Sequence, residues 1–182
     1  MATMAMRILI LVSSCYLISC GGHIRTYDDK VSFYGDSSIN QFILRDTSCL
    51  ASINKMPSIM NDSNIGEFIG FSNISSNEFI LLIRENGGYE KQFNYFYLTD
   101  SIPHEYVKRV VTLPDSSFIT TLGAYIGCTE KDFCNKYKKI SFSISQHTTG
   151  NTYMFQDTIN QYRGIYKFNR GYLSHIEFGY VW

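Results

Sequence analysis

The feature of this sequence that most restricts its fold is a series of aromatic and β-branched runs, separated by turn residues, that extends from Glu67 to residue 181. Runs of this composition favour β-strands. The clearest case is the pair Tyr162–Phe168 and Tyr172–Val181, joined by Asn169-Arg170-Gly171, in which the glycine suits a left-handed turn position. Because turns this short connect antiparallel neighbours, the pattern predicts an antiparallel sheet.

The same signals predict further strands upstream of this hairpin. Glu78–Arg84 is a dense apolar run of the kind found in buried strands. Tyr89–Leu98 has aromatic residues at both odd and even positions, so we expect both faces of this strand to be covered. Glu85–Gly88 forms the predicted turn between these two strands. Other predicted strands are Ile39–Leu44, Glu67–Phe71, Val107–Leu113, Ser141–Gln146 and Tyr153–Gln156.

One helix is clearly predicted, at Thr129–Lys139. Thr129 is a suitable N-cap residue, and Asp132 follows at the third helical position, which approximates a capping box. The apolar residues of this segment recur at spacings of four and three and so share one face: Phe133, Tyr137 and Ile140.

A second, shorter helix is predicted at Ser48–Ile53, capped by Asp46 or Thr47. Seven or eight strands with one or two short helices define an α+β fold. We therefore expect an antiparallel β-sheet with one or two short helices packed on one face. An aromatic content of 15% supports a packed β-rich domain over a disordered chain.

The N-terminal residues have the layout of an export signal. Arg7 precedes Ile8–Ile18, a run without charge, as in the n-region and h-region of a signal peptide. The run is too short to span a bilayer, for which a helix needs about 20 apolar residues. A plain secretory signal and a buried N-terminal strand are the alternatives to the interpretation that follows.

Leu17-Ile18-Ser19-Cys20 resembles the bacterial lipobox, in which a small residue precedes a cysteine that becomes lipidated. The resemblance implies cleavage before Cys20 and attachment of fatty acids to that residue. Cys15 fits the pattern less well. We accordingly expect a signal peptide at residues 1–19, a lipid-anchored tether at 20–30 and a single α+β domain at 31–182.

The residues after Cys20 bear on the location of the protein. Surface-displayed lipoproteins of Bacteroidetes carry acidic residues directly after the cysteine, whereas Gly21-Gly22-His23 stand here. This difference favours a lipid-anchored protein of the cell envelope, on the outer membrane and facing the periplasm. Basic and acidic residues are equal in number, at 16 each, so charge gives no reason to expect a nucleic-acid partner.

The segment from Leu122 to Tyr180 shows a second resemblance. Gly127-Cys128-Thr129 opens the predicted helix, and the last hairpin contains the sequence from Tyr166 to Ile176, with Gly171 in its turn. This arrangement resembles a pattern of small periplasmic lipoproteins, and it is similar to the small outer-membrane-assembly lipoprotein and to the β-lactamase inhibitor protein. The resemblance implies a fold that packs helices on an antiparallel sheet and that binds proteins.

Cysteine and histidine residues give no sign of a metal or cofactor site. Export would permit a disulfide, and Cys128 and Cys134 are spaced to close a small loop, with two unpaired thiols as the alternative. The four histidines are scattered along the chain without a second ligand at helical or hairpin spacing. No G-x-S-x-G motif occurs, so no cofactor, metal or enzymatic activity is expected.

These observations favour a non-enzymatic, envelope-anchored protein that binds a protein partner, as an assembly accessory or an immunity or inhibitor protein. In that case one face of the sheet should expose a cluster of aromatic residues. The candidate partner-binding residues are Tyr89, Tyr95, Tyr153 and Tyr162. The alternatives are a carrier with an aromatic-lined cleft for a small ligand and an enzyme of unrecognised type.

Overall fold

A computed structural model describes residues 35–84 and 92–181 of the chain. The predicted signal peptide, the tether, the boundary at residue 31 and the turn at Glu85–Gly88 lie outside the described residues. All of the described residues belong to one compact unit of the chain.

The strands of the described residues form two sheets. Two short strands, β1 (Ser38–Ile39) and β2 (Phe42–Ile43), pair with each other. The main sheet has nine strands: β3 (Met60–Asp62), β4 (Gly66–Ser72), β5 (Phe79–Arg84), β6 (Tyr95–Thr99), β7 (Val111–Thr112), β8 (Ser143–His147), β9 (Gly150–Asp157), β10 (Tyr162–Asn169) and β11 (Tyr172–Tyr180). Eight of them follow the antiparallel order β3-β4-β5-β6-β11-β10-β9-β8, and β7 pairs in parallel with β4.

Three short helices complete the described structure. They are a 3-10 helix at Ser48–Ser52, α1 at His104–Val107 and α2 at Glu130–Lys136. The α+β class and the antiparallel sheet are therefore confirmed. None of these helices has the length and apolar character that crossing a membrane would require.

The prediction of a strand at Val107–Leu113 was largely wrong. Val107 ends α1, and only Val111–Thr112 is a strand. Pro103 immediately precedes this helix, with its carbonyl accepting the amide of Tyr106 at 2.9 Å. The fixed φ of proline favours a helix start. This preference outweighs the β-strand preference of the residues that follow Pro103.

The main predicted helix is confirmed, although it is shorter than expected. Thr129 Oγ1 accepts the amide of Asp132 at 3.1 Å, so the predicted cap is formed. The helix ends at Lys136, and Tyr137 occupies the C-cap position. The later hairpin is also confirmed, with Arg170 and Gly171 both at positive φ in its turn.

The strand order divides the main sheet into two halves of four strands each. The N-terminal half is β3–β6 and the C-terminal half is β8–β11, and the pairing of β6 with β11 joins them. Alternation along the strands defines two faces across both halves. Face A carries Leu81, Tyr95 and Glu177, whereas face B carries Phe96 and Phe178.

Both faces of the N-terminal half are covered. On face A, Tyr106 of α1 packs in a cluster with Phe68 and Leu81. On face B, the ring of Phe42 from β2 stacks on Phe71 with 4.9 Å between ring centroids. Five of the six residues of β5 are buried as a result, which agrees with its continuous apolar sequence.

The C-terminal half is covered on face B by α2. Phe133 of this helix is fully buried, and its ring centroid lies 4.9 Å from that of Tyr166 and 5.2 Å from that of Phe168. Buried residues alternate with accessible ones along β10. Face A of the C-terminal half therefore remains accessible to solvent, and we call it the open face.

Candidate functional site

The open face and the adjoining strand β6 carry a connected group of polar side chains on face A, from three adjacent strands. Strand alternation places every second residue of each strand on this face. The group consists of Tyr95 and Tyr97 from β6, His175 and Glu177 from β11, and Arg163 and Lys167 from β10. We call these six residues the polar cluster.

Glu177 occupies the centre of the polar cluster. One carboxylate oxygen accepts the Tyr95 hydroxyl at 3.1 Å, and the other lies 3.3 Å from His175 Nε2 and 3.4 Å from Lys167 Nζ. Burial alone would raise the pKa of Glu177. The neighbouring His175, Lys167 and the Tyr95 hydroxyl outweigh burial and lower the pKa to about 2, so this residue is a carboxylate at neutral pH.

Tyr95 connects Glu177 to Arg163. Its hydroxyl accepts N–H groups of Arg163 from Nη2 at 3.1 Å and from Nε at 3.3 Å, while it donates to Glu177. Burial, reinforced by the negative charge of Glu177, raises the pKa of Tyr95. The phenol therefore stays protonated and holds the guanidinium and the carboxylate in fixed positions.

His175 is buried at the edge of the polar cluster. Its ring makes an edge contact with Tyr97 at 4.2 Å between centroids. Nε2 lies within ion-pair distance of Glu177, but the angle is not that of a hydrogen bond. The structure packs this histidine between an aromatic ring and a carboxylate.

The chemistry of the polar cluster suits recognition of another surface. It combines two permanent cations with one carboxylate, and the hydroxyl of Tyr95 fixes their spacing before any partner arrives. Across the residues that the structure describes, His, Cys, Asp and Glu side chains nowhere gather in a group of three suited to a metal ion.

The predicted tyrosine surface is wrong for the three candidates that are described. Tyr95, Tyr153 and Tyr162 are all buried, with at most 8% of each residue exposed. Tyr89 lies outside the described residues. Of the three, only Tyr95 belongs to the open face, as a buried support for the charged residues.

These tyrosines can be buried because each hydroxyl has a hydrogen-bond partner inside the fold. Tyr153 donates to Glu130 of α2 at 2.5 Å, and Tyr162 donates to the carbonyl of Asp36 at 2.7 Å. The carboxylate of Asp36 is itself fully buried and accepts the hydroxyls of Tyr137 and Tyr166. Burial raises the pKa of Asp36, although these hydrogen bonds act in the opposite direction.

Of the two possibilities for Cys128 and Cys134, a disulfide or two unpaired thiols, the structure has the second, and both residues are free thiols. Cys128 is buried immediately before the N-cap of α2. Cys134 is exposed one turn into the helix, with its sulfur 3.7 Å from the Tyr153 hydroxyl. The helix directs the two side chains to different surroundings, so their sequence spacing did not predict proximity.

Sequence reasoning missed the charged members of the polar cluster. Arg163 and Lys167 alternate along one strand of the confirmed hairpin and His175 and Glu177 alternate along the other, but only the bulge between Lys167 and Phe168 puts the two pairs on the same face. Residues at alternate positions of paired strands share a face. The contribution of β6 could not be found in this way, since its pairing with β11 joins distant parts of the chain.

A separate open groove of about 500 Å³ lies between residues 52–55 and 111–115. Its lining is polar and aliphatic, with Lys55 and Asp115 among the charged residues. The expected cleft for a small ligand was aromatic-lined, and this groove does not have that character.

Comparison with known proteins finds no relative of this chain. No protein family, curated protein or solved structure matches the chain.

Proposed function

We propose that this chain is a non-enzymatic lipoprotein of the bacterial cell envelope that binds a protein partner. The lipobox-like Leu17-Ile18-Ser19-Cys20 supports the anchor. The similarity of residues 122–180 to small periplasmic lipoproteins supports a binding role and a location on the outer membrane, facing the periplasm.

The observation that carries the binding proposal is the open face with its polar cluster. The polar cluster supplies Arg163 and the partly exposed ring of Tyr97, and arginine and aromatic residues are enriched in protein interfaces. Ile165 lies half-buried between Arg163 and Lys167 and adds apolar surface. The charges are already positioned by mutual contacts, which reduces the entropy lost on binding.

The anchor is tested by comparing two cysteine variants in membrane fractionation. Cys20→Ala should move the protein from the membrane fraction to the soluble fraction. Cys15→Ala is the matched control and should leave it in the membrane. The mass of the native N-terminus should correspond to a cysteine bearing fatty acids, and a mature chain that begins elsewhere without lipid would contradict the anchor.

The binding role is tested by site-specific photo-crosslinking in the native host. A benzophenone amino acid at Ile165, on the open face, should yield an adduct with a defined protein. The control position is Ile74, which is exposed after β4 in the N-terminal half. If illumination gives no protein adduct from Ile165, or the same adducts from both positions, the proposed function fails.

A further inference from the structure

The strand at one edge of the main sheet, β8, leaves its outer side unpaired. In the part of the chain that the structure describes, β8 pairs with β9 alone, and all five of its residues are exposed. Ile144 in its centre is 55% exposed. The outer side of such a strand presents N–H and C=O groups at the spacing that another strand requires.

Proteins usually protect an edge strand against pairing, but β8 carries none of the usual devices. Its sequence, SISQH, contains no proline, lysine or acidic residue, and its pairing with β9 has no bulge. The opposite edge differs. There β3 has only three residues, and the carbonyl of Ile59 just before it accepts an N–H of Arg109 at 2.9 Å.

Charge is distributed unequally between the two parts of the chain that form the halves. Residues 122–182 carry seven basic and four acidic side chains, whereas residues 35–121 carry six basic and ten acidic ones. Exposed basic residues lie on both sides of the C-terminal half. Lys167 is on face A, while Lys131, Lys138 and Lys139 lie on α2 and just after it, beside face B. The part of the chain that contains β8 therefore has a net positive charge.

We propose that β8 binds an extended acidic segment of the partner protein, which adds to the sheet as a tenth strand. This inference rests on the proposed function and specifies how the partner attaches. Main-chain hydrogen bonds to β8 would supply affinity, and acidic side chains at alternate positions would lie together on one side of the added strand, facing the basic residues beside face B. The added strand would also enlarge the open face.

Charge and geometry favour this occupant over two others. A second copy of the chain pairing through its own β8 would bring two positively charged halves together, and like charges oppose association. An anionic membrane surface would match the charge. It offers no regular series of backbone donors and acceptors, so it would leave the edge of β8 unused.

The test uses the full chain in detergent micelles and three synthetic octapeptides as probes. One alternates threonine and glutamate, the second alternates threonine and lysine, and the third is the glutamate peptide N-methylated at every residue. Hydrogen exchange of the β8 amides should slow at least about threefold with the glutamate peptide. Its affinity should exceed that of the lysine peptide about fivefold at low salt, with a smaller difference at high salt.

The N-methylated peptide should give no protection, because it cannot donate the required hydrogen bonds. The double variant K138E/K139E should weaken the glutamate peptide about fivefold, while Lys55→Glu, an exposed lysine of the N-terminal half, should not. Gln146→Pro, which places a proline within β8, should weaken pairing of the glutamate peptide with this strand further. If that variant misfolds, the comparison of the two glutamate peptides still decides the question.

Several results would overturn the inference. Equal binding of the N-methylated peptide excludes strand addition, and equal binding of the lysine peptide excludes an acidic partner. Binding only to vesicles containing phosphatidylglycerol would assign the basic surface to a membrane. Crosslinking from Ile165 together with unprotected β8 amides would leave the proposed function standing and remove only this inference. Protection of β8 without a cellular adduct would contradict the proposed function and, with it, the inference that rests on it.

Discussion

The two halves of the main sheet share one strand order but differ in how many of their faces are covered. Each is a four-stranded antiparallel meander, and the strands correspond in order outward from the β6–β11 junction. In the N-terminal half, α1 covers face A and the β1–β2 pair covers face B. In the C-terminal half, α2 covers face B and face A is open.

The difference in coverage is reflected in the residue patterns of corresponding strands. The sequence of β5, FILLIR, is apolar at consecutive positions, as expected for a strand buried on both faces. The sequence of β10, YRGIYKFN, alternates between buried and accessible residues. A half with one accessible face can carry charged residues there. Lys167 is about half exposed, and its contact with Glu177, together with the Tyr95 hydroxyl, offsets the cost of burying that carboxylate.

The largest effect is expected where the two halves meet. Gly179 on β11 has φ +152°, and a Cβ there would stand 2.2 Å from the carbonyl oxygen of Asn94. Gly179→Ala should therefore push β11 away from β6 and cost about 4 kcal/mol or more of unfolding free energy. Gly171→Ala in the hairpin turn is the control, because its Cβ meets nothing, and it should cost about 1 kcal/mol. Chemical denaturation measures both, and equal costs would show that the junction is not tight.

A matched pair of truncations on face A tests the difference in coverage directly. Leu81 on β5 is 2% exposed, and Leu81→Ala should cost about 3 kcal/mol through the cavity it leaves. Ile165 on β10 is only half-buried, and Ile165→Ala should cost about 1 kcal/mol. Urea denaturation gives both values. Comparable losses would mean that the open face is covered in solution.

The pH dependence of stability should reveal the polar cluster. The pKa of Glu177 is lowered from its ordinary 4.5 to about 2 in the folded state. Its stabilisation is therefore complete above about pH 4.5 and is lost as the pH falls through about 2. The advantage of the native protein over Glu177→Gln should shrink by about 2 to 3 kcal/mol between pH 6 and pH 2. A constant difference in unfolding free energy across that range would exclude the described contacts.

The smallest effect is expected for the most exposed cation of the polar cluster. The side chain of Lys167 is 47% exposed and lies 3.4 Å from Glu177. Lys167→Ala should cost no more than about 0.5 kcal/mol, because solvent screens exposed ion pairs. Denaturation at low and high salt measures this loss. A larger loss, insensitive to salt, would show that the ion pair is shielded from water.

Much of the fold could be predicted because its signals are local. The cap of α2 at Thr129 depends on a residue three positions away, and the turn at Arg170-Gly171 depends on positive φ at neighbouring residues. The strand at Val107–Leu113 was misassigned because Pro103, lying outside the apolar run, starts a helix. Local patterns therefore gave the elements and their class, with errors where two local preferences competed.

The candidate site was harder to predict because burial depends on distant partners. Tyrosine is common in binding surfaces, which made Tyr162 a candidate. Its hydroxyl can be buried because it donates to the carbonyl of Asp36, 126 positions away in the chain. The turn of the last hairpin would by itself place Glu177 opposite Gly164, and a bulge between Lys167 and Phe168 shifts it opposite Ile165. Its contact with Tyr95 required the pairing of β6 with β11, which no short-range pattern specifies.

The sequence by itself determined the antiparallel strands, the capped helix and the alternation that gives β10 one accessible face, because each depends on residues close together in the chain. Only the tertiary structure decided which strands meet at the junction, which tyrosines are buried and which edge is left unpaired. Those outcomes depend on contacts between segments far apart in sequence, where packing and hydrogen-bond satisfaction of the whole fold, and not the preference of any one segment, determine the lowest free energy.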